Sequence, residues 1–444
     1  MKNKSEVRSQ DFRLKTQDSR LKTTDLKLVS WVLCLWSAFL LLLTAYCSLL
    51  TETAFSEELS SPSTTSNPLP TTSKIGIILP LSGRYAQFGE QALKGALLAA
   101  DIFETRGQGS KEPGDQANIQ PMHVEVLVKD TQGDPIASAK AVEELTLNEN
   151  VVGIIGPLLS ITATDTARKA QELRTPIITL SQKEGLTNMG HYIFRNFLLP
   201  SEQARAIAAY AINKLKHKKF AILYPNSPYG LELVNLFKEE VKKGNGEIAA
   251  EEQYKEGQTY FGKEITKLFK IKETEKKEGR RKIKIFETTV KVDALYIPDY
   301  FDTIGLIAPH LAYYNIKDVK LLGSNGWNSP KLIDMAGRYV EDSIFIDGFF
   351  SGSKREPTAR FVSSFRNLYG TEPGIIEAQT YDAVKMMIEA ISKSNGEKER
   401  VQATLADLKG FPGATGSIAF NKDREAIKEM FILTIKGGKI VEVN

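Results

Sequence analysis

Residues 75–99 read IGIILPLSGRYAQFGEQALKGALLA, an apolar run that turns through glycine into an amphipathic helix. Ile75–Pro80 is almost wholly apolar, as expected of a parallel strand covered on both faces. The following loop, Leu81–Gly89, holds Gly83 and Gly89, which permit a tight turn. Its aromatics, Tyr85 and Phe88, have the size to wall a cleft or to join the core. A helix is predicted over Phe88–Phe103.

The same order recurs down the chain. Strands are predicted at Val124–Lys129, Val151–Gly156, Pro176–Leu180, Phe220–Tyr224, Ala294–Pro298, Val319–Gly323 and Ser343–Phe350. Helices are predicted at Ser160–Leu173, Glu202–Leu215, Leu231–Lys243, Thr303–Tyr314 and Ala378–Ser392. In Leu231–Lys243 the apolar residues Leu233, Phe237 and Val241 recur every fourth position, and Gly244 suits a C-cap. Such alternation predicts βαβ units and doubly wound parallel sheets. With 444 residues, two lobes are expected rather than one core. A TIM barrel would alternate too. However, Met430–Lys436 and Ile440–Val443 flank Gly437-Gly438 as a closing β-hairpin, which favours two lobes. Lys270–Lys284 (KIKETEKKEGRRKIK) breaks the alternation. A basic docking patch is one reading, and a solvated loop extending a helix end is the preferred one.

The first 73 residues differ in character. Leu28–Leu50 (LVSWVLCLWSAFLLLLTAYCSLL) has 23 residues without a charge, enough to cross a hydrocarbon core of about 30 Å. Before it stand Lys2, Lys4, Arg8, Arg13, Lys15, Arg20, Lys22 and Lys27, against Glu6, Asp11, Asp18 and Asp25. A basic flank ahead of an apolar run predicts export of the chain beyond it. The run exceeds the usual secretory core and favours a retained anchor, whereas Ala45-Tyr46-Cys47 offers a cleavage pattern. Thr44 and Tyr46 depart from a lipid-attachment box. The short repeat at 11–28 (DFRLKTQ, DSRLKTT, DLKL) is read as part of a charged tail. The expected organisation is a cytoplasmic tail at 1–27, a signal anchor or signal peptide at 28–50, a Ser/Thr/Pro-rich tether at 51–73 and the folded body at 74–444.

Composition excludes several functions. A net charge of +4 is small for the length and argues against nucleic-acid binding. Cys34 and Cys47 both lie in the apolar run, so the body has no disulfide framework and no thiolate metal site. His123, His191, His217 and His310 are scattered, without zinc-ligand spacing. There is no G-x-S-x-G elbow, no Walker A loop and no G-x-G-x-x-G, so neither a cofactor nor a catalytic residue is assigned. What remains is a set of loops at strand ends, where open parallel sheets bind ligands. They carry Phe88, Ser160 as a helix N-cap, Tyr229, Tyr300 and Asn325. A hydroxyl and free N–H groups at a helix start suit a carboxylate or phosphate.

These residues sit in stretches that resemble the type I periplasmic binding proteins of the leucine/isoleucine/valine-receptor family. The matching pieces are residues 75–99, VVGIIGPLLS at 151–160, RTPIITLSQ at 174–182, YGLEL at 229–233, TYDAVKMMIEAI at 380–391 and GATGSIAFNKD at 413–423. Their order and spacing run through nearly all of 74–444.

The resemblance implies two Rossmann-like lobes joined by a three-segment hinge, about 74–196 with 347–421 and about 197–346 with 422–444. It implies a non-enzymatic, extracytoplasmic receptor that closes on an amino acid or related small polar solute and serves an ABC-type importer with its membrane permease. Phe88 matches an aromatic beside the ligand, Ser160 a carboxylate-binding serine, and Tyr229 and Tyr300 tyrosines of the second lobe. Gln182 and Lys183 fall in the loop where a small threonine usually assists the carboxylate. Asn325 stands where an acidic residue usually meets the ligand ammonium. An asparagine lacks the charge a buried ammonium needs, which disfavours a simple α-amino acid. The segments TLSQKEGLT at 179–187 and ALYIPDYFDTIGLIAPHLAYY at 294–314 also resemble the penicillin-binding protein activators. Their role would be to bind a peptidoglycan synthase.

Overall fold

The structure, a computed structural model, describes residues 72–101, 124–278 and 281–443. The tail, the apolar run and nearly all of the tether lie outside the described residues, as do Phe103 and His123. Among the described residues no helix is long and apolar enough to cross a membrane.

The first half begins with β1 (Ser73–Leu79), α1 (Ala86–Ala99), β2 (Val124–Asp130), α2 (Pro135–Leu147), β3 (Gly153–Ile155), α3 (Ser160–Glu172), β4 (Ile177–Thr179) and β5 (Ile193–Arg195). Its sheet runs β2-β1-β3-β4-β5, with every pair parallel. The chain then builds α4 (Pro200–Ala209), β6 (Lys219–Pro225), α5 (Pro228–Lys243), β7 (Glu247–Tyr254), α6 (Gly262–Leu268), β8 (Lys272–Glu278), β9 (Arg281–Glu287), β10 (Ala294–Ile297), α7 (Phe301–Tyr313), β11 (Lys320–Gly323), α8 (Pro330–Ala336) and β12 (Ile344–Asp347). It returns to the first half through α9 (Glu356–Tyr369), α10 (Ile375–Ser394), α11 (Lys398–Ala406), β13 (Phe411–Gly413), β14 (Gly416–Phe420) and β15 (Ala426–Lys428), and ends with β16 (Phe431–Lys436) and β17 (Lys439–Glu442). The second sheet runs β17-β16-β12-β11-β10-β6-β7.

Each half has its own core. In the first, Ile75, Ile77 and Leu79 of β1 pack with Met386 and Met387 of α10. In the second, Leu295, Ile297, Trp327, Phe345 and Phe431 share one cluster. Helix α10 lies so close to α1 that a Cβ at Gly95 would stand 2.2 Å from the Glu377 carbonyl oxygen, so only glycine fits there.

Strand order reverses once in each sheet, between β1 and β3 and again between β6 and β10. At such a point consecutive connections leave toward opposite faces, and a crevice opens outside the carboxyl ends of the strands. The connections after β1, β3 and β6 lead to Phe88, Ser160 and Tyr229 in the first turns of α1, α3 and α5, and the one after β10 carries Tyr300 just ahead of α7.

The alternation and the terminal hairpin are as expected, with Gly437 and Gly438 at positive φ. Lys270–Lys284 is not a loop. It forms most of the β8–β9 hairpin, because Glu273 pairs with Lys284 and Glu275 with Lys282 across the strands. Phe286 then packs its base against Tyr313 and Tyr314. The helix expected to reach Leu215 stops at Ala209 and continues as a π-helical turn, Tyr210–Lys214. Strand pairing stops at Asp347, three residues short of the expected Phe350. β7 escaped prediction because it is an edge strand, exposed on alternate residues, with a polar sequence.

A buried polar clamp closes the first half. Asp382 of α10 accepts hydrogen bonds from Ala414 N, Thr415 N and Thr415 Oγ1 at 2.6, 2.9 and 2.6 Å. Lys428 is its buried electrostatic partner. Burial raises the Asp382 carboxyl and lowers the Lys428 ammonium to about 8, while mutual attraction opposes both shifts. Replacing Asp382 by alanine leaves these donors and a buried cation unmatched. The expected loss is about 3–5 kcal/mol of stability, read as a lower urea midpoint.

Candidate functional site

The first arm of the site is built on loop ends of the first sheet. Ser160 is the first residue of α3 and not its cap, because Leu159 takes the extended N-cap conformation. Freed from capping, the Ser160 hydroxyl faces the fully buried Ser181 hydroxyl at 3.4 Å. Lys183 N–H donates to Ser181 Oγ at 3.1 Å, which curls the loop around that serine.

Arg195 fixes the loop from beneath. Its Nη1 donates to the carbonyls of Gln182 and Lys183 at 3.0 and 3.1 Å, and its Nε pairs with Glu425 at 2.6 Å. Glu425 also accepts from Thr187 Oγ1, and Arg424 donates to the carbonyls of Thr187 and Ile193. Gln182 and Lys183 thus join the site through their backbone, with both residues exposed. Two hydroxyls at the positive end of a helix are suited to a carboxylate. Phe88 is 44% exposed on the first turn of α1.

The second arm brings three of the sequence-predicted residues together. Tyr229 and Tyr300 stack with ring centroids 5.2 Å apart and planes at 21°. The Tyr229 hydroxyl lies 2.9 Å from both Ser324 Oγ and Asn325 Oδ1. Burial pushes that phenol well above its usual range, so it stays neutral and keeps its proton. Below the stack, Asp299 accepts from Tyr254 OH at 2.5 Å and from Tyr300 N at 2.8 Å. Gly326 lets this loop close in, since a Cβ there would stand 2.7 Å from the Asp299 carbonyl oxygen. Gln203 Oε1 holds the Asn325 N–H at 3.4 Å. Trp327, read with this loop in the sequence, belongs to the core, its indole N–H donating to Ile297 O at 3.0 Å.

Glu184, in the loop after β4, is an acidic neighbour of Glu232 in the second turn of α5. Burial, then the neighbouring Glu184 carboxyl, raise Glu232 to about 7, with Arg195 opposing. Sequence reasoning missed this pair and Arg195. Single acidic and basic residues on distant segments carry no spacing signal. Ser181 had one, its place beside Gln182 at a strand end.

A family profile described as periplasmic binding protein matches residues 72–439. The chain belongs to that family. Among relatives of this binding protein, the Leu/Ile/Val-binding protein BraC3 of Rhizobium johnstonii is 23% identical over 376 residues, 83% of this chain and 92% of the relative. A Rhodospirillum rubrum structure described as a branched-chain amino acid ABC transporter superposes with a TM-score of 0.71 at 21% identity, covering 84% of this chain and all of that one. The solute-binding protein of an ABC transporter from Rhodopseudomonas palustris, solved with 3,4-dihydroxybenzoic acid, gives a TM-score of 0.57 at 21% identity, over 84% and 96% of the two chains. The fold of this binding protein is therefore the type I periplasmic-binding-protein fold, as expected from the sequence.

Arg195 is 3% exposed and paired, so Arg195→Met leaves Glu425 unmatched and two loop carbonyls without their donor. A loss of about 3–5 kcal/mol is expected, with faster amide exchange across residues 181–187. Thermal melting and hydrogen–deuterium exchange would read these.

Proposed function

We propose that the protein is an extracytoplasmic solute receptor that closes two lobes on a small carboxylate and hands it to the permease of an ABC-type importer. The lobes are about 74–196 with 347–421 and about 197–346 with 422–444. The observation that carries this reading is the pairing of two strand-order reversals, each furnished with ligand-sized polar groups. On one side Ser160 and Ser181 take the carboxylate, with Gln182 and Lys183 beside them and Phe88 as a wall. On the other, Tyr229, Tyr300 and Asn325 take the rest of the solute.

The chemistry of the second arm narrows the solute. Asn325 and Tyr229 supply neutral hydrogen bonds and no full charge opposite the carboxylate. A hydroxyl or amide is matched there, and the Tyr229–Tyr300 stack suits a flat or ring-bearing group. A simple α-amino acid would need its ammonium matched elsewhere. Relatives bracket this range: one is named for leucine, isoleucine and valine, another was solved with a dihydroxybenzoate.

Export would follow from Leu28–Leu50 as a membrane anchor or signal, with residues 51–73 as tether. The other partner weighed from the sequence, a peptidoglycan synthase, is favoured by no specific contact.

The test is a thermal-shift and calorimetric screen of hydroxybenzoates, short 2-hydroxy acids and branched-chain amino acids. A true solute at a hundredfold excess over Kd adds about 2.7 kcal/mol, a rise of several degrees in a body of this size. The order expected is hydroxy acid above amino acid. Ser160→Ala combined with Tyr229→Phe should weaken binding at least about a hundredfold, two lost hydrogen bonds at the stronger end of their range. If no member of the panel stabilises the protein, the solute reading is wrong.

A further inference from the structure

The negative charge that Asn325 does not supply stands one strand away, at Asp347. β11 and β12 are parallel with Gly323 opposite Phe345, so Asn325 and Asp347 each lie two residues beyond that pair. They stand at neighbouring strand ends on the same edge of the second sheet, a strand spacing of about 4.8 Å. Asp347 is 9% exposed. Its Oδ2 accepts from Asn328 Nδ2 at 2.7 Å and its Oδ1 from Gly348 N at 2.6 Å, which fixes the carboxyl without neutralising it. Asn328 in turn closes the turn that starts at Asn325, its N–H donating to Asn325 O at 3.1 Å. Other largely buried carboxylates have a cation: Asp382 faces Lys428, Glu425 Arg195 and Glu442 Arg355. Among the described residues no basic side chain pairs with Asp347.

This carboxyl lines a cavity of about 680 Å³. The walls include Phe349, Phe350 and Ile440 from the second half, and Gly374 and Ile375 at the start of α10. A Cβ on Gly348 would stand 3.7 Å from Ile375 Cδ1, so α10 begins directly over the end of β12. A molecule in this space would touch both halves. The other charged side chains on the walls do not complete Asp347, since Glu372 pairs with Arg366 and Lys439 is exposed. Burial holds the Asp347 carboxyl up at about 7. A buried carboxylate without a counter-ion is costly, and a cation brought in by a ligand removes that cost. The apolar walls suit the carbon chain that carries such a cation.

We propose that Asp347 is the counter-charge for a cationic nitrogen of the solute, which makes the solute an ω-ammonium carboxylate. This rests on the reading of the crevice as the solute site. Ser160 and Ser181 take the carboxylate, Asn325 and Tyr229 take a neutral group, and Asp347 takes the ammonium one strand further along. An α-ammonium, one carbon from the carboxylate, would fall beside Asn325, where no charge meets it. Moving the nitrogen down the carbon chain brings it to the buried acid instead.

The experiment is calorimetric titration of the full chain in detergent micelles with matched pairs of compounds. ω-Amino acids from γ-aminobutyrate to ε-aminocaproate are each compared with the ω-hydroxy acid of the same length, and n-pentylammonium with n-pentanol. Titrations are run at about pH 8, so that Asp347 is ionised before binding. In at least one pair the ammonium compound is expected to bind at least about tenfold tighter than its hydroxy partner. Asp347→Asn should abolish that preference while leaving the hydroxy compound within about threefold of its wild-type affinity. The role of Asp347 is overturned if no ammonium compound outbinds its partner, or if the variant keeps the preference. Where the variant fails to fold, the wild-type pairs decide alone. Hydroxy acids that bind without any ammonium preference leave the carboxylate receptor standing and remove only the cation subsite. Conversely, n-pentylammonium outbinding n-pentanol while no carboxylate binds keeps the subsite and sinks the carboxylate reading.

Discussion

A parallel sheet opens a crevice only where successive connections leave toward opposite faces, and this chain does so twice. Between β1 and β3, and between β6 and β10, the strand ends deliver their loops into open space while α3, α5 and α7 start from the same edges. The side chains gathered there come from segments far apart in sequence. Tyr229 meets Ser324 and Asn325, and Ser160 meets Ser181, only because the strands between them lie in a fixed lateral order. Everything chemical about the site depends on that order.

Holding the crevice in shape falls to buried charges. Arg195 ties the Ser181–Lys183 loop to Glu425, on the segment that leads into the last return to the second sheet. Asp382 and Lys428 do the same one layer deeper, tying α10 to β13–β15. At the other crossing, Arg355 stacks on Phe431 and pairs with Glu442, joining the start of α9 to β16 and β17. Buried ion pairs add little net stability over an apolar equivalent, and removing one partner is costly. Their effect here is to tie loop position to the chain crossings.

The strands were largely legible because fully covered parallel strands are continuous apolar runs, as in Ile75–Leu79 and Ala294–Ile297. Where that condition fails, so does the reading. β7 alternates exposed and half-buried residues at an edge, and the charged 270–284 stretch folds as a hairpin through cross-strand ion pairs. Ser160 shows a subtler limit. Its residue type and place suggested a cap, but the cap position is set by Leu159's backbone, and the hydroxyl is left to face Ser181. Phe88, Tyr229, Tyr300 and Asn325 could be picked out as strand-end residues. The tyrosine stack and the shared hydrogen bond could not.

By itself the sequence determined the α/β class, the element order, the closing hairpin and the family, because local periodicity and motif order are properties of neighbouring residues. It also determined what kinds of groups stand at the strand ends. Only the tertiary structure decided which of them meet. Arg195 under the 181–187 loop, and Tyr229 against Ser324 and Asn325, bring together groups with no fixed spacing along the chain. Their proximity is set by where the two sheets and the chain crossings put them.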